Sequence, residues 1–209
     1  MRVASLLLAS YLVGSLPTSY LAGRLAGVDL RKRGSGNLGG TNVYRVLGWK
    51  AAVPVVLVDV SKGLLPTWLF PTWDAHATAG LALAYGLCAI AGHIWSVFLR
   101  FHGGKGVATS GGVLMALAPV AVLVGGLLWA GVVLATRTVS LASLSAATVI
   151  PILAYLFDAP ISTVVFSAGL AALVWYTHRE NLGRLRRGEE LRFGADRGGE
   201  GGTPPGRGP

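Results

Sequence analysis

The chain has 209 residues, 53% of them hydrophobic and only 13% charged, with a mean hydropathy of +0.60 and a net charge of +9. A soluble domain carries about 25% charged residues, so an ordinary water-soluble enzyme is excluded. The Lys and Arg residues sit in short gaps between apolar runs rather than on one basic face, which excludes a nucleic-acid binder and fits a membrane protein.

A spanning helix needs roughly 20 mostly apolar residues. The first run, Val3 to Gly23, contains Ser15 and Pro17 but is long for a signal peptide and ends in no Ala-x-Ala-like site, so it is taken as a span. A polar island follows, Arg33 to Asn42 with Arg45 beyond it. Gly34, Gly36 and Gly39 match a dinucleotide fingerprint, but that motif has meaning only between a strand and a helix. A glycine-rich turn with exposed N–H groups, Ser and Asn donors and a nearby Arg suits an anionic ligand. The plain alternative is an interhelical loop.

The second and third runs are Ala51 to Phe70 and Ala75 to Ile94. Asp59 and Lys62, three residues apart in the second, neutralise each other, though intramembrane charges are functional candidates by default. Cys88 is the single cysteine, which rules out a disulfide framework and a cysteine-rich metal site; it reads as an inert buried thiol. The second island runs from His93 to Thr109 and holds Gly103, Gly104, Lys105 and Gly106. It is not a nucleotide P-loop, because Gly106 replaces the residue that would touch magnesium and position 99 is Leu. Its glycines admit a ligand to the backbone and a helix begins directly afterwards, so N–H groups there and Lys105 form an anion site. Taken singly, His93 reads as a satisfied interfacial histidine and Lys105 as a snorkelling cation.

Val107 to Ala135 is long for one crossing and short for two, with Pro119 inside. One crossing would put Arg137 and the arginines from Arg179 onward on the side opposite Arg100. Two crossings bent near Ala118-Pro119 put them all on the side of Arg24, Arg31, Lys32, Arg33, Arg45 and Lys50, as the positive-inside bias demands. In the turn beyond Arg137, Ser140 is placed to cap the next helix, with Ser143 on the same side as a donor. Leu141 to Phe157 and Ile161 to Tyr176 complete the spans around the turn Asp158-Ala159-Pro160. The third island, Thr177 to Glu190, puts His178 and Asn181 on one face of a helix continuing from the last span. Arg186 and Arg187 read as a basic collar. The expected architecture is all-α and polytopic, with seven transmembrane helices, an outside N-terminus and a cytoplasmic C-terminus. Residues 1–190 form a single domain, and residues 191–209 a disordered cytoplasmic tail with too little apolar surface to order itself.

At these islands the chain resembles the bacterial acyl-phosphate:glycerol-3-phosphate acyltransferase family. Its motifs appear as GSGNLGGTNVYR (34–45), GHIWSVFLRFHGGKGVAT (92–109) and HRENLGRLRRGEE (178–190), with Gly40 where alanine is expected. The resemblance implies seven membrane helices in the bacterial cytoplasmic membrane and a site facing the cytoplasm. It implies acyl transfer from acyl phosphate to glycerol-3-phosphate, without acyl-CoA or acyl carrier protein as direct donor, yielding 1-acyl-glycerol-3-phosphate and phosphate. By motif position it carries over Ser35, Arg45, Lys105, Ser143, His178 and Asn181 as the catalytic and substrate-positioning set. Gly34, Gly36, Asn37, Thr41, Asn42, His93, Gly103, Gly104, Gly106 and Thr109 follow as substrate-binding residues, the loop 103–106 cradling the donor phosphoryl group. Partners are the two substrates, membrane lipids and a soluble enzyme supplying acyl phosphate.

Two phosphate-bearing substrates require a site that gathers negative charge, and Arg45, Lys105 and the loop amides supply the complement. There are nine acidic residues and no spaced Asp set, so no metal or other cofactor is expected. The His with an Asp five positions later, used by another acyltransferase class, is absent: Leu81, Phe98, Val107 and Gly183 follow His76, His93, His102 and His178. Either His178 is the general base or the phosphate of glycerol-3-phosphate accepts the hydroxyl proton itself; the lack of a carboxylate spaced to orient His178 favours the second. The competing reading is a membrane transporter of organophosphates, which would show internal repeats and midplane polar residues.

Overall fold

Helices carry most of the described chain in the computed structural model, which describes residues 2–73 and 78–194. The first apolar run is broken. α1 (Arg2–Ser15) stops at Leu16-Pro17, where proline has no N–H for the ladder, and α2 (Thr18–Leu25) resumes beyond it. A 3₁₀ turn (Leu30–Lys32) leads to the short amphipathic α3 (Gly40–Leu47), and α4 (Trp49–Trp73) follows. After α5 (Ala79–Ile94) come α6 (Val107–Leu117), α7 (Pro119–Thr136), α8 (Val139–Leu156), α9 (Ile161–Thr177) and α10 (Arg179–Arg186). Residues 75–77, expected at the start of the third span, lie outside the described residues.

Among the described residues, five stretches are long and apolar enough to cross a membrane: Arg2–Leu25, Trp49–Trp73, Gly80–Leu99, Pro119–Thr136 and Val139–Leu156. α9 and α10, bent by 58°, make a sixth if taken together. Seven spans are expected from charge, the fourth of them short; the helices of full crossing length among the described residues number five, or six with the bent pair. The run from Val107 does divide at Ala118, as expected, but unequally. α6 has 11 residues, about 16 Å of rise, roughly half a hydrocarbon core. Outward leucines such as Leu127 and Leu134, 74% and 82% exposed, suit a lipid-facing surface.

One group of helices is α1, α4, α5 and α6; a second is α7, α8 and α9. They meet where α5 and α6 touch α9 and α6 touches α7. Within the first group α4 and α6 approach backbone to backbone. Gly63 lies against the Thr109 carbonyl and Gly112 against the Val60 carbonyl, each too close to admit a Cβ.

A charged pair is sealed into this group. Asp59 and Lys62 on α4 are 1% and 3% exposed and bond at 2.7 Å. Lys62 also donates to the Leu16 carbonyl (2.5 Å) and Thr18 Oγ1 (3.2 Å), while the Thr18 hydroxyl donates to Asp59 (2.6 Å). The pair thus caps the break between α1 and α2, satisfying polar groups that the proline releases inside an apolar bundle.

Within residues 191–194, expected to begin the disordered tail, Leu191 and Phe193 are held by contacts to the body while Arg192 and Gly194 are exposed. Arg45 donates to the Leu191 carbonyl (3.1 Å), the Phe193 N–H to the Arg137 carbonyl (2.5 Å), and the Phe193 ring stacks on Tyr44 with centroids 4.3 Å apart. The remainder of that tail, residues 195–209, lies outside the described residues.

Candidate functional site

The first glycine-rich loop is folded by one side chain. Asn42, in the first turn of α3, accepts the Ser35 N–H at 2.8 Å and donates to the carbonyls of Leu30 and Arg33 at 3.1 Å each. It is fully buried, so its polar atoms organise the loop. Ser35, Asn37, Thr41, Asn42 and Arg45 line a cavity, whereas Gly34 and Gly36 are absent from its wall and serve as left-handed turn positions, φ 59° and 72°.

The second loop divides by function. Gly103 and Gly104 donate their N–H groups to the carbonyls of Ile94 and His93 (2.9 and 3.1 Å) and do not reach the cavity. They anchor the loop to the end of α5, so those two amides are not available to a ligand. Lys105, Gly106 and Val107 do line it. Gly106, with φ 79°, caps α6 in the left-handed conformation that admits glycine readily. Thr109 is fully buried on the side toward α4 and is likewise off the cavity wall. His93 lines the cavity from behind, its Nδ1 3.8 Å from Asp59.

His178 and Asn181 do not share one continuous helix. α9 ends at Thr177, the chain bends, and His178 caps the start of α10. The bend still turns both side chains, 4% and 6% exposed, into the cavity. The His178 Nδ1 lies 2.8 Å from the Val174 carbonyl. A carbonyl only accepts, so the proton sits on Nδ1 and Nε2 keeps its lone pair. Burial, then the Lys105 charge, push the imidazole down to about 4, so it is neutral at physiological pH.

Lys105, Asn181 and Glu190 form a chain. The Lys105 ammonium donates to the Asn181 amide oxygen, and the Asn181 amide donates to Glu190 at 2.5 Å. Arg184 holds the other Glu190 oxygen at 2.8 Å. Burial works to raise Glu190, but the bonds from Asn181 and Arg184 prevail and hold its carboxyl below the ordinary range. Burial foremost, helped by Arg184 and Arg45 and opposed by Glu190 and Glu180, lowers Lys105 to about 8. Cations crowded this closely, in a recess lacking equal negative charge, have the electrostatics that suit an anion.

Ser140 was expected to cap α8; Thr138 stands at that cap without a capping bond, its hydroxyl donating to the Thr136 carbonyl at 3.1 Å instead, and Ser140 is inside the first turn. Ser140 and Ser143 nevertheless both line the cavity, with Ser143 accepting from the Trp129 indole at 3.2 Å. Beyond this polar end the cavity, about 460 Å³ in all, continues between Leu114, Met115, Val122, Gly126, Ala147, Ile150 and Ala171. A cation-rich head and an apolar slot fit a ligand with an anionic group and a hydrocarbon chain.

Sequence reading missed Glu190 as a partner of Asn181, Arg184 as the clamp on that carboxylate, Trp129, and the apolar slot. Glu190 had a weak signal: an acidic residue two positions after Gly188, whose φ of 71° turns the chain back.

A glycerol-3-phosphate acyltransferase family model matches residues 4–188. The glycerol-3-phosphate acyltransferase of Symbiobacterium thermophilum is 44% identical over 92% of this chain and 96% of its own. Glycerol-3-phosphate acyltransferase 2 of Moorella thermoacetica is 45% identical over 90% of this chain and 96% of its own. A crystal structure of PlsY (YgiH), an integral membrane glycerol 3-phosphate acyltransferase, in its glycerol 3-phosphate form superposes with a TM-score of 0.87 at 38% identity, covering 93% of this chain and 96% of that one.

Proposed function

This chain belongs to the glycerol-3-phosphate acyltransferase family, and from that premise we propose that it acylates glycerol-3-phosphate with acyl phosphate as the donor. It is an integral membrane acyltransferase of glycerol-3-phosphate, and the organophosphate transporter reading is set aside. The observation that carries the donor is the union of the Lys105–Asn181–Glu190 chain, backed by Arg184 behind Glu190, with an apolar slot in the same cavity. Such a cavity accepts a phosphate and a hydrocarbon chain together.

In this reading Lys105 neutralises the donor phosphate as charge develops on it, while Ser35 and Arg45 receive the phosphate of glycerol-3-phosphate. The acceptor hydroxyl attacks the acyl carbon; the new ester C–O bond forms, the acyl–phosphate C–O bond breaks, and phosphate leaves with the electron pair. An imidazole near 4 is a weak base. A phosphate monoester, with a second pKa of about 6, is the better proton acceptor, so the substrate phosphate takes the proton. His178, through Nε2, and Asn181 orient the hydroxyl and the lysine, and Ser143 contributes a donor. Gly34, Gly36, Gly103 and Gly104 act by shaping the two loops, and Thr109 by packing.

The orientation rests on the basic loops: the cavity head faces the cytoplasm of the bacterial plasma membrane, with α6 counted as a seventh, short membrane segment. A soluble enzyme supplying acyl phosphate is the proposed partner. The test is direct. Purified protein given glycerol-3-phosphate should form lysophosphatidate from acyl phosphate and little from acyl-CoA; equal turnover with acyl-CoA overturns the donor assignment.

A further inference from the structure

The five residues after Glu189 bridge the two helix groups over the head of the cavity. At one end Glu190 holds Asn181 and Arg184. In the middle the Leu191 carbonyl accepts from Arg45 on α3. At the far end Phe193 bonds the Arg137 carbonyl in the α7–α8 turn, packs against the Val133, Val139 and Ala142 cluster, and stacks on Tyr44 at an interplanar angle of 10°. Leu191 to Gly194 lie beyond the residues the family model matches, so the argument rests on this chain's own contacts.

A segment of irregular chain keeps one conformation only if something opposes its conformational entropy, about 1–2 kcal/mol per residue. Leu191 and Arg192 form no helix and belong to no buried cluster. Phe193 is the anchor: it alone in the segment joins both an aromatic stack and an apolar cluster. If that anchor is released, the Leu191 carbonyl is no longer held where it meets the Arg45 guanidinium. Arg45 sits one residue after Tyr44, so the ring that receives Phe193 and the guanidinium that meets Leu191 are carried by the same turn of α3.

We infer that Phe193 is a positioning residue for glycerol-3-phosphate: by fastening residues 190–194 across the cavity head, it holds Arg45 in the orientation that receives the acceptor's phosphate. This rests on the assignment of Arg45 to that phosphate. It predicts a selective kinetic signature, because the donor's phosphate is assigned to Lys105, which meets the strap only through Asn181 and Glu190, and Glu190 keeps its own bonds to Asn181 and Arg184 when Phe193 lets go.

The experiment uses full-length protein in detergent with glycerol-3-phosphate and acyl phosphate varied in turn. Phe193→Ala should raise KM for glycerol-3-phosphate about tenfold, leave KM for acyl phosphate within about twofold, and change kcat little, magnitudes expected for losing one charge-assisted contact. Phe193→Trp, which keeps a stacking face, should restore most of the affinity. Phe193→Leu, which keeps apolar packing without a ring, should resemble the alanine variant in KM while unfolding at the wild-type temperature. A purely structural role would lower the active fraction, and with it kcat, at unchanged KM; that result, or equal rises in both KM values, overturns the inference. Wild-type turnover of glycerol-3-phosphate in the same assay separates this failure from failure of the functional reading.

Discussion

Two lysines lie in the interior of this protein, in different electrostatic situations. Lys62 gives its ammonium to three fixed oxygens, those of Leu16, Thr18 and Asp59, within 3.2 Å. Lys105, among the described residues, donates to one side chain, the Asn181 amide. It has Arg45 and Arg184 as unfavourable neighbours, with only Glu190 and Glu180 to offset them. A cation whose donors are all filled by its own protein is architecture, because no room remains for a ligand. A cation left under-satisfied in a cavity is poised for an anion that arrives from outside.

The sharpest way to break this contrast is at Lys62. Asp59→Ala strands a buried ammonium, and loss of one partner of a buried pair costs about 3–5 kcal/mol. Thermal unfolding in detergent should show a large drop, with Asp59→Leu/Lys62→Met recovering much of it because the charge is gone. An Asp59→Ala protein as stable as the parent removes the architectural reading.

At Lys105 the expectation reverses: activity goes and the fold stays. Lys105→Ala should lower kcat about a hundredfold or more, the cost of one preorganised contact to developing charge, about 3–4 kcal/mol. Lys105→Arg should recover part of that loss, since a planar guanidinium replaces a point charge. The pH dependence carries the same sign logic. The folded-state value for Lys105, about 8, lies below its ordinary 10.5. Folding therefore disfavours its proton; this penalty on stability is complete below about 8 and is relieved as pH rises toward 10.5. Activity needs the charged form, so kcat/KM should fall through pH 8 while stability from this group rises. A kcat/KM profile flat from pH 7 to 9, in protein that stays folded, would sink the clamp.

The smallest effect is expected in the apolar slot. Gly126 faces the cavity with open space where a Cβ would stand. Gly126→Leu should lower kcat/KM for long acyl phosphates roughly tenfold relative to short ones, in line with discrimination by methylenes in apolar pockets. Competition between a long and a short donor reads this ratio directly, and an unchanged ratio places the chain elsewhere.

Much of this was legible in the residues because it depends on local chemistry. Apolar length announced the helices, Pro119 the division at Ala118, and Gly106 the start of α6. Ser35, Arg45, Lys105, Ser143, His178 and Asn181 all meet on one cavity. What failed depends on contacts distant in sequence. The use of Gly103 and Gly104 to hold α5 carbonyls cannot be seen in a glycine pattern, since the same pattern serves either to admit a ligand or to tie down a loop. Charge counting asks for a short crossing at α6 and cannot say how deep its 11 residues sit, because basic residues report side and not depth. Glu190 escaped because its partner Asn181 lies nine residues back, across the turn at Gly188.

The contact between α4 and α6 bears on how this enzyme tolerates mutation. Gly63 and Gly112 touch neither substrate pocket nor charge, and each meets the opposite backbone where a Cβ cannot fit. α6 begins one residue after Gly106, so its distance from α4 sets how deep Lys105 sits. Alanine, the least a glycine codon can add, would wedge the helices apart and lift the lysine with them. Two hydrogen atoms, remote from the chemistry, are thus among the least replaceable atoms in the protein.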